Sequence, residues 1–239
     1  MTTAGSADRW REVWAKRSLD RSHATTLSML MAADGLDTAF GEISETAWCD
    51  SARRWAARLR ARSGASVYEV GCGAGAFLWV LERLGCSVGG IDLSASLIES
   101  AREVMPAGQF DIGEAIDLAA EPKADVVVSF GAFLYFPNLD YAAAVIAAMA
   151  ARARTAVAIL DLPDLATRAD ALAHRIELAG GEAAYRQRYD GLGHIYYDRR
   201  WVADRLRDSG LADVATATQD IRGYANGPFR FNAWGFAQE

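Results

Sequence analysis

Cysteine and histidine are both scarce, three of each in 239 residues. Cys49, Cys72 and Cys86 form no CxxC pair and are odd in number. That argues against a disulfide framework and a structural zinc site, and fits a reducing, cytoplasmic setting with no bound metal. Long apolar runs are missing too: none approaches the ~20 residues of a membrane-spanning helix. The opening stretch, MTTAGSADRW, lacks the apolar segment of a signal peptide. A soluble protein with no membrane partner is expected. Positive charge is in deficit, with 25 Lys and Arg against 31 Asp and Glu for a net charge of -6. This balance argues against a chain whose main task is to hold the phosphate backbone of nucleic acid. Internal repeats and low-complexity tracts are absent.

What is present suits one large α/β domain, since 51% of the residues are hydrophobic and 23% charged. Residues 1–62 read as a helical cap. Trp10, Val13 and Trp14 share one helical face, Leu27, Leu30 and Met31 another, and Trp48, Ala52, Trp55 and Leu59 a third. Gly64 stands where the third helix should stop. Residues 63–239 form the core, in which short strands alternate with helices. Strands are expected at 67–71, 88–92, 109–112, 125–130, 155–161, near 212–218 and at 229–237. Helices are expected at 75–85, 95–104, 139–152 and 199–209. Uncharged strands alternating with helices indicate a doubly wound, mostly parallel sheet covered on both faces. An insertion at 163–195 follows strand five and carries a helix near 164–179.

The stretch VYEVGCGAGAF, residues 67–77, turns a strand sharply into a helix through closely spaced glycines. Such turns bring backbone close to a ligand. Gly71, Gly73 and Ala76 satisfy the tolerant dinucleotide pattern, so spacing alone leaves a nicotinamide dinucleotide open. Asp92 ends the second strand and suits the ribose diol of either that cofactor or S-adenosylmethionine. Glu69 separates the two. A carboxylate at the end of strand one would repel a pyrophosphate but favour the sulfonium and ammonium of S-adenosylmethionine.

At these residues the chain resembles the class I S-adenosylmethionine-dependent methyltransferases. Their first motif stands here as Glu69-Val-Gly71-Cys-Gly73-Ala-Gly75, and the acid ending strand two as Asp92 in GGIDLS. The acid and small residue after strand three match Glu114 and Ala115, and the aspartate opening strand four matches Asp125. The resemblance spans roughly residues 64–161. It implies a Rossmann-like seven-stranded sheet with the last strand antiparallel, S-adenosylmethionine as cofactor, and Glu114 facing the adenine amino group. It further implies cofactor contacts from Glu69, Gly71, Cys72, Gly73, Gly75, Asp92, Leu93, Glu114, Ala115 and Phe130. Cys72 is expected to supply backbone contacts, with a reactive thiol as the rival reading. Trp10 and Trp14 read either as a lid over the cofactor or as a helix buried on the core, and Arg17 could meet the cofactor's carboxylate.

The departures concern the acceptor. Where many relatives carry histidines after strand four, this chain has Leu134, Tyr135 and Phe136. The marks of adenine-N6 and cytosine-C5 methylation, Asn/Asp-Pro-Pro-Tyr and Pro-Cys, are missing. His23 lies in a polar connection. His174 falls off the apolar face drawn by Leu165, Ala169, Leu172 and Ile176, so it is expected at the surface. His194 sits among Tyr185, Tyr189, Tyr196 and Tyr197, a cluster that is either packing or a ligand crevice. Tyr135 and His194 are therefore the candidate catalytic residues. His194 is expected to titrate near its ordinary value of about 6.5 and to serve as general base. The expected function is methyl transfer from S-adenosylmethionine to the oxygen or nitrogen of a small, partly apolar or cationic molecule. A protein using the cofactor for regulation or another reaction is the alternative, with an NAD-dependent oxidoreductase behind it. Titration with tRNA or duplex DNA at physiological salt should show no binding; micromolar affinity with a steep salt slope would instead make nucleic acid the substrate.

Overall fold

The computed structural model describes residues 4–22, 24–36 and 43–238. Three helices come first: α1 (Ala4–Ala15), α2 (Thr26–Ala33) and α3 (Glu45–Arg58). The Thr25 side chain accepts from the Ser28 amide while Ser28 accepts from the Thr25 amide, a reciprocal cap that starts α2. Ser44 caps α3 in the same sense, through the Ala47 amide. Then follow β1 (Ser66–Val70), α4 (Ala76–Arg83), β2 (Ser87–Asp92), α5 (Ala95–Val104), β3 (Gln109–Ile112), β4 (Ala124–Phe130), α6 (Leu139–Arg152) and β5 (Ala153–Pro163). The insertion holds α7 (Arg168–Leu178) and α8 (Glu182–Tyr189); α9 (Arg199–Asp208), β6 (Leu211–Thr218) and β7 (Arg230–Ala237) close the chain.

The strands form one sheet in the order β3-β2-β1-β4-β5-β7-β6. The pairs from β3 through β5 are parallel, whereas β7 runs antiparallel to both β5 and β6. The sheet is covered on both faces, and strand residues alternate between two hydrophobic clusters. Val67, Val126, Val128, Ala156 and Ala158 face α2, α3, α4 and α5. Tyr68, Val70, Val127, Val157 and Ile159 face α6 and α9. Burial on both sides explains the near-continuous apolar runs of β4 and β5.

Two irregularities position the site. At the carboxyl end of β1, Gly71, Gly73 and Gly75 all take positive φ (72°, 54° and 90°), the left-handed region that side chains disfavour. A Cβ at Gly71 would run into the Ala132 side chain, so the loop after β1 and the segment after β4 approach as closely as they do only because that Cβ is missing. In β5, the pairing with β7 slips between Ile159 and Leu162, and Asp161 within the slip takes φ 64°. A bulge of this kind re-aims a side chain, and a strained non-glycine residue is a mark of a functional site. The Asn232 side chain receives the Asp161 amide at 2.9 Å, which satisfies the donor that the bulge removes from the ladder.

The strands and the core helices α4, α5, α6 and α9 lie within about three residues of their expected places. Four local expectations need correction. Helix α3 ends at Arg58, well before Gly64, because Arg60 (φ 60°) already breaks the spiral. Helix α8 was not expected; its sequence is polar and none of its residues is buried, so it shows no apolar periodicity. The helix near 164–179 begins only at Arg168, and it buries Ala171 and Arg175 while leaving Leu165 and Leu172 exposed. His174 is consequently half-buried and packs on the Phe229 ring at 5.3 Å. His23 lies outside the described residues. Among the described residues, no helix is long and apolar enough to cross a membrane.

Trp48 joins the cap to the core. It is 2% exposed, donates to the Ala76 carbonyl at 3.1 Å and meets the Phe130 ring edge-on at 4.8 Å. Trp48→Ala should cost about 3–5 kcal/mol of stability, the usual result of emptying a tryptophan-sized volume. Denaturant unfolding of the two proteins checks this, and a loss below about 1 kcal/mol would show that the cap is not held there.

Candidate functional site

One cavity of ≈ 400 Å³ opens at the carboxyl edge of the sheet, under α1 and the insertion. Of the expected site residues, Trp14, Arg17, Glu69, Gly71, Cys72, Gly73, Asp92, Leu93, Glu114, Ala115, Phe130, Tyr135 and His194 all line it. Gly75 does not; it supports the loop from behind as the left-handed residue that starts α4.

The end of the cavity beside β1 and β2 is acidic. Glu69 is 3% exposed and its Oε2 has no hydrogen-bond partner among the described residues. Asp92 accepts from the Gly73 amide at 2.9 Å and the Ser94 amide at 2.8 Å, so it ties the glycine loop to the start of α5. A third carboxylate was not foreseen. Asp34, just past the end of α2, accepts from the Ala74 amide at 2.6 Å and the Ala76 amide at 2.9 Å, at the start of α4. Burial pushes the Asp34 carboxyl up to about 7 against the pull of those amides, and Asp92 adds to the rise. Burial also raises Glu69 well above the ordinary carboxylate range, with Asp34 and Asp92 reinforcing it, and burial raises Asp92. Cys72 is a buried thiol held well above its ordinary value by burial and these same acids, which removes the reactive-thiol reading.

Arg17 and Arg11 of the cap both have partners. Arg17 donates to the Ala32 and Ala33 carbonyls at 2.9 and 3.3 Å, and its guanidinium lies 4.9 Å from the Trp14 ring centre. It thus neutralises the carboxyl end of α2 besides facing the cavity. Glu114 pairs with Arg11 at 2.7 Å and accepts from the Tyr141 hydroxyl at 3.1 Å. Trp14 is half-buried with an indole nitrogen that has no partner among the described residues.

The opposite end, beside β5 and β7, gathers two guanidiniums, an imidazole and one carboxylate. Asp161 accepts from the Tyr224 hydroxyl at 2.9 Å and the Gln219 side chain at 3.3 Å, and Arg230 lies 3.9 Å away. Arg230 and Arg175 are each 7% exposed, and both line the cavity. The His194 ring stacks on Trp10 at 5.1 Å and meets Tyr135 edge-on at 5.6 Å. Its Nδ1 lies 2.8 Å from Arg175 Nη1. Burial drives His194 well below its ordinary value, and Arg175 and Arg230 push in the same direction. The expectation of a histidine titrating near neutrality is therefore wrong here: a buried imidazole beside two guanidiniums resists a third positive charge. Tyr135 is pushed up to about 12 by burial, so its phenol stays protonated at neutral pH.

Sequence reading missed Asp34, Asp161, Arg175, Tyr224 and Arg230. Asp161 alone had a signal, as an acid at the carboxyl end of a strand in an open α/β sheet.

A Rossmann-like sheet ending in an antiparallel strand, with a glycine turn facing an acid-lined cleft, is the architecture of a class I methyltransferase. Residues 40–216 match the family described as methyltransferase domain, and the chain belongs to that family of S-adenosylmethionine-dependent enzymes. Solved structures agree in fold. Magnesium protoporphyrin IX methyltransferase from Synechocystis PCC 6803, with bound S-adenosylhomocysteine, has a TM-score of 0.59 at 18% identity, over 97% of this chain and 93% of its own. The N-methyltransferase NodS from Bradyrhizobium japonicum WM9, also with S-adenosylhomocysteine, gives 0.61 at 14% identity over 98% and 100%. An O-methyltransferase family protein from Burkholderia thailandensis gives 0.57 at 18% over 80% and 59%. No curated protein sequence matches the chain.

The acid cluster predicts a pH dependence. Unfolded, Asp34 ionises near 3.8; folded, it does so at about 7, so between these values only the folded protein holds the proton. Its contribution to stability is present below 3.8 and lost as the pH rises through 7. The unliganded protein should melt at higher temperature at pH 5 than at pH 8. Asp34→Asn should shrink that difference without abolishing it, since Glu69 and Asp92 shift in the same direction. An unchanged slope in the variant would show that Asp34 is not enclosed as described.

Proposed function

We propose that the protein transfers a methyl group from S-adenosylmethionine to a small-molecule acceptor held at the β5–β7 end of the cavity. The observation that carries this reading is the set of three enclosed carboxylates, one with an oxygen that has no partner among the described residues, beside amides that close the glycine turn. A cation fits there and a pyrophosphate does not. When bound, S-adenosylmethionine supplies an electrophilic methyl group on a positively charged sulfur. Glu69 and Asp34 would hold its positive groups. Asp92 keeps a second lone pair on each oxygen beyond those used by Gly73 and Ser94, enough to accept from two ribose hydroxyls. Leu93, Ala115 and Phe130 would provide apolar contact, with Glu114 and Arg11 closing over the adenine side. Trp14 and Arg17 would cover the cofactor's amino-acid end.

The chain's main contribution is placement. The acceptor and the methyl donor share a single cavity roofed by Trp10, Trp14 and Tyr135, whose rings contact one another at 4.7 and 5.3 Å. Excluding water there and aligning two reactants removes most of the entropic barrier of a displacement. The enclosed volume favours a small acceptor over a macromolecule.

Calorimetry should show S-adenosylmethionine binding and none for NADH, and acceptor pools should yield S-adenosylhomocysteine. Glu69→Gln should weaken S-adenosylmethionine binding by about 1.5–3 kcal/mol, the range for hydrogen bonds to charged groups. Unchanged affinity in a folded Glu69→Gln protein would remove that residue from the site, and binding without turnover of any acceptor would favour a regulatory role.

A further inference from the structure

A guanidinium can only donate hydrogen bonds. The 2.8 Å contact from Arg175 Nη1 therefore makes His194 Nδ1 the acceptor, and a neutral imidazole with an accepting Nδ1 carries its proton on Nε2. That Nε2 is buried, has no partner among the described residues, and belongs to a residue lining the acceptor end of the cavity. An N–H in this position cannot abstract a proton. Nor do the neighbouring groups supply a base. Tyr135 keeps its phenolic proton up to about pH 12. Asp161 already accepts from Gln219 and Tyr224 and pairs with Arg230 at 3.9 Å, so its charge is answered within the protein. From α7, β7 and the segment before α9 the acceptor faces three donors, Arg175, Arg230 and His194, with Asp161 of β5 paired to Arg230 beside them.

We infer that His194 is a positioning donor and that the acceptor is a carboxylic acid, bound as its carboxylate and converted to a methyl ester. The inference rests on the methyl-transfer reading above. A carboxylate needs no base, because it is already ionised at neutral pH. One carboxylate oxygen accepts from His194 Nε2–H and the guanidinium end of the cavity. The other uses a lone pair to form the new O–CH3 bond as the S–CH3 bond breaks, and the electron pair of that bond remains on sulfur. No proton moves. An ammonium acceptor would meet two guanidiniums with Asp161 as the one carboxylate among them, so this inference takes an anionic acceptor in place of the cationic one.

Two measurements test this. In 15N-labelled protein saturated with S-adenosylhomocysteine, the imidazole nitrogens of His194, assigned by loss of signal in His194→Gln, should show the Nε2–H tautomer from pH 6 to 8. A proton on Nδ1, or titration near neutrality, would overturn the inference. In turnover with matched carboxylic acids, phenols and amines, only the acids should yield S-adenosylhomocysteine, together with a product that releases methanol in alkali. His194→Ala should raise KM about 10-fold or more, with a smaller fall in kcat, and His194→Gln, which restores a donor, should recover much of it. A kcat loss of about 10²–10⁴ with KM unchanged would instead mark a base. S-adenosylhomocysteine formed with an alkali-stable product would defeat the carboxylate but leave methyl transfer standing. Failure to bind S-adenosylmethionine at all would defeat both.

Discussion

Three carboxylates from three separate parts of the chain are held against the same glycine turn, and much of the molecule is arranged around that repulsion. Glu69 comes from β1, Asp92 from β2 and Asp34 from the end of α2. Enclosing them together disfavours the charged form of each. The backbone meets part of the cost: the amides of Gly73, Ala74 and Ala76 all point at these acids. Such amides can converge only where the chain turns through left-handed glycines, so the sequence of the loop and the chemistry of the cleft are one requirement. A cation entering the cleft relieves the remaining repulsion, which gives the site a driving force before any shape-specific contact forms.

The two ends of the cavity differ in sign. Three acids line the side of β1 and β2, whereas two guanidiniums and an imidazole outnumber the single carboxylate, Asp161, on the side of β5 and β7. The antiparallel β7 brings Arg230 beside the bulged end of β5, and α7 of the insertion brings Arg175. Opposed fields across one enclosed space orient two reactants of opposite charge without demanding movement of the protein during the reaction.

The sheet was legible because its strands are short, largely apolar runs set between helical segments, and the first half of the site was legible because Glu69, Gly71, Gly73 and Asp92 lie within one strand–turn–helix–strand run. Asp34 and Arg175 were not legible, since neither carries a local signal; their roles arise when distant segments pack together. His194 shows the limit most clearly. Its residue type suggested a base, but burial holds it neutral and its tautomer is set by Arg175, a neighbour 19 positions away on another element. Arg175 itself was hidden because α7 buries its arginine and exposes Leu172 before it, the reverse of what hydrophobic periodicity assumes.

The roof of the cavity unites segments from opposite ends of the chain. Ser6 and the Gly193 backbone exchange hydrogen bonds at 3.0 and 2.9 Å, Trp10 donates to the Gly193 carbonyl at 3.0 Å, and Arg9 donates to the Asp190 carbonyl at 2.8 Å. Further along the cap, Arg11 reaches Glu114 and Asp34 reaches the glycine turn. The cap therefore touches both ends of the cavity: Trp10 stacks on the acceptor-side histidine, and Asp34 sits at the cofactor-side turn. Several of these bonds are exposed or half-exposed, so each one alone is weak and the roof holds through their number. A roof fastened to both ends holds its aromatic rings over the whole length of the cavity. Continuous cover of that kind excludes water where alignment has the most effect on the rate.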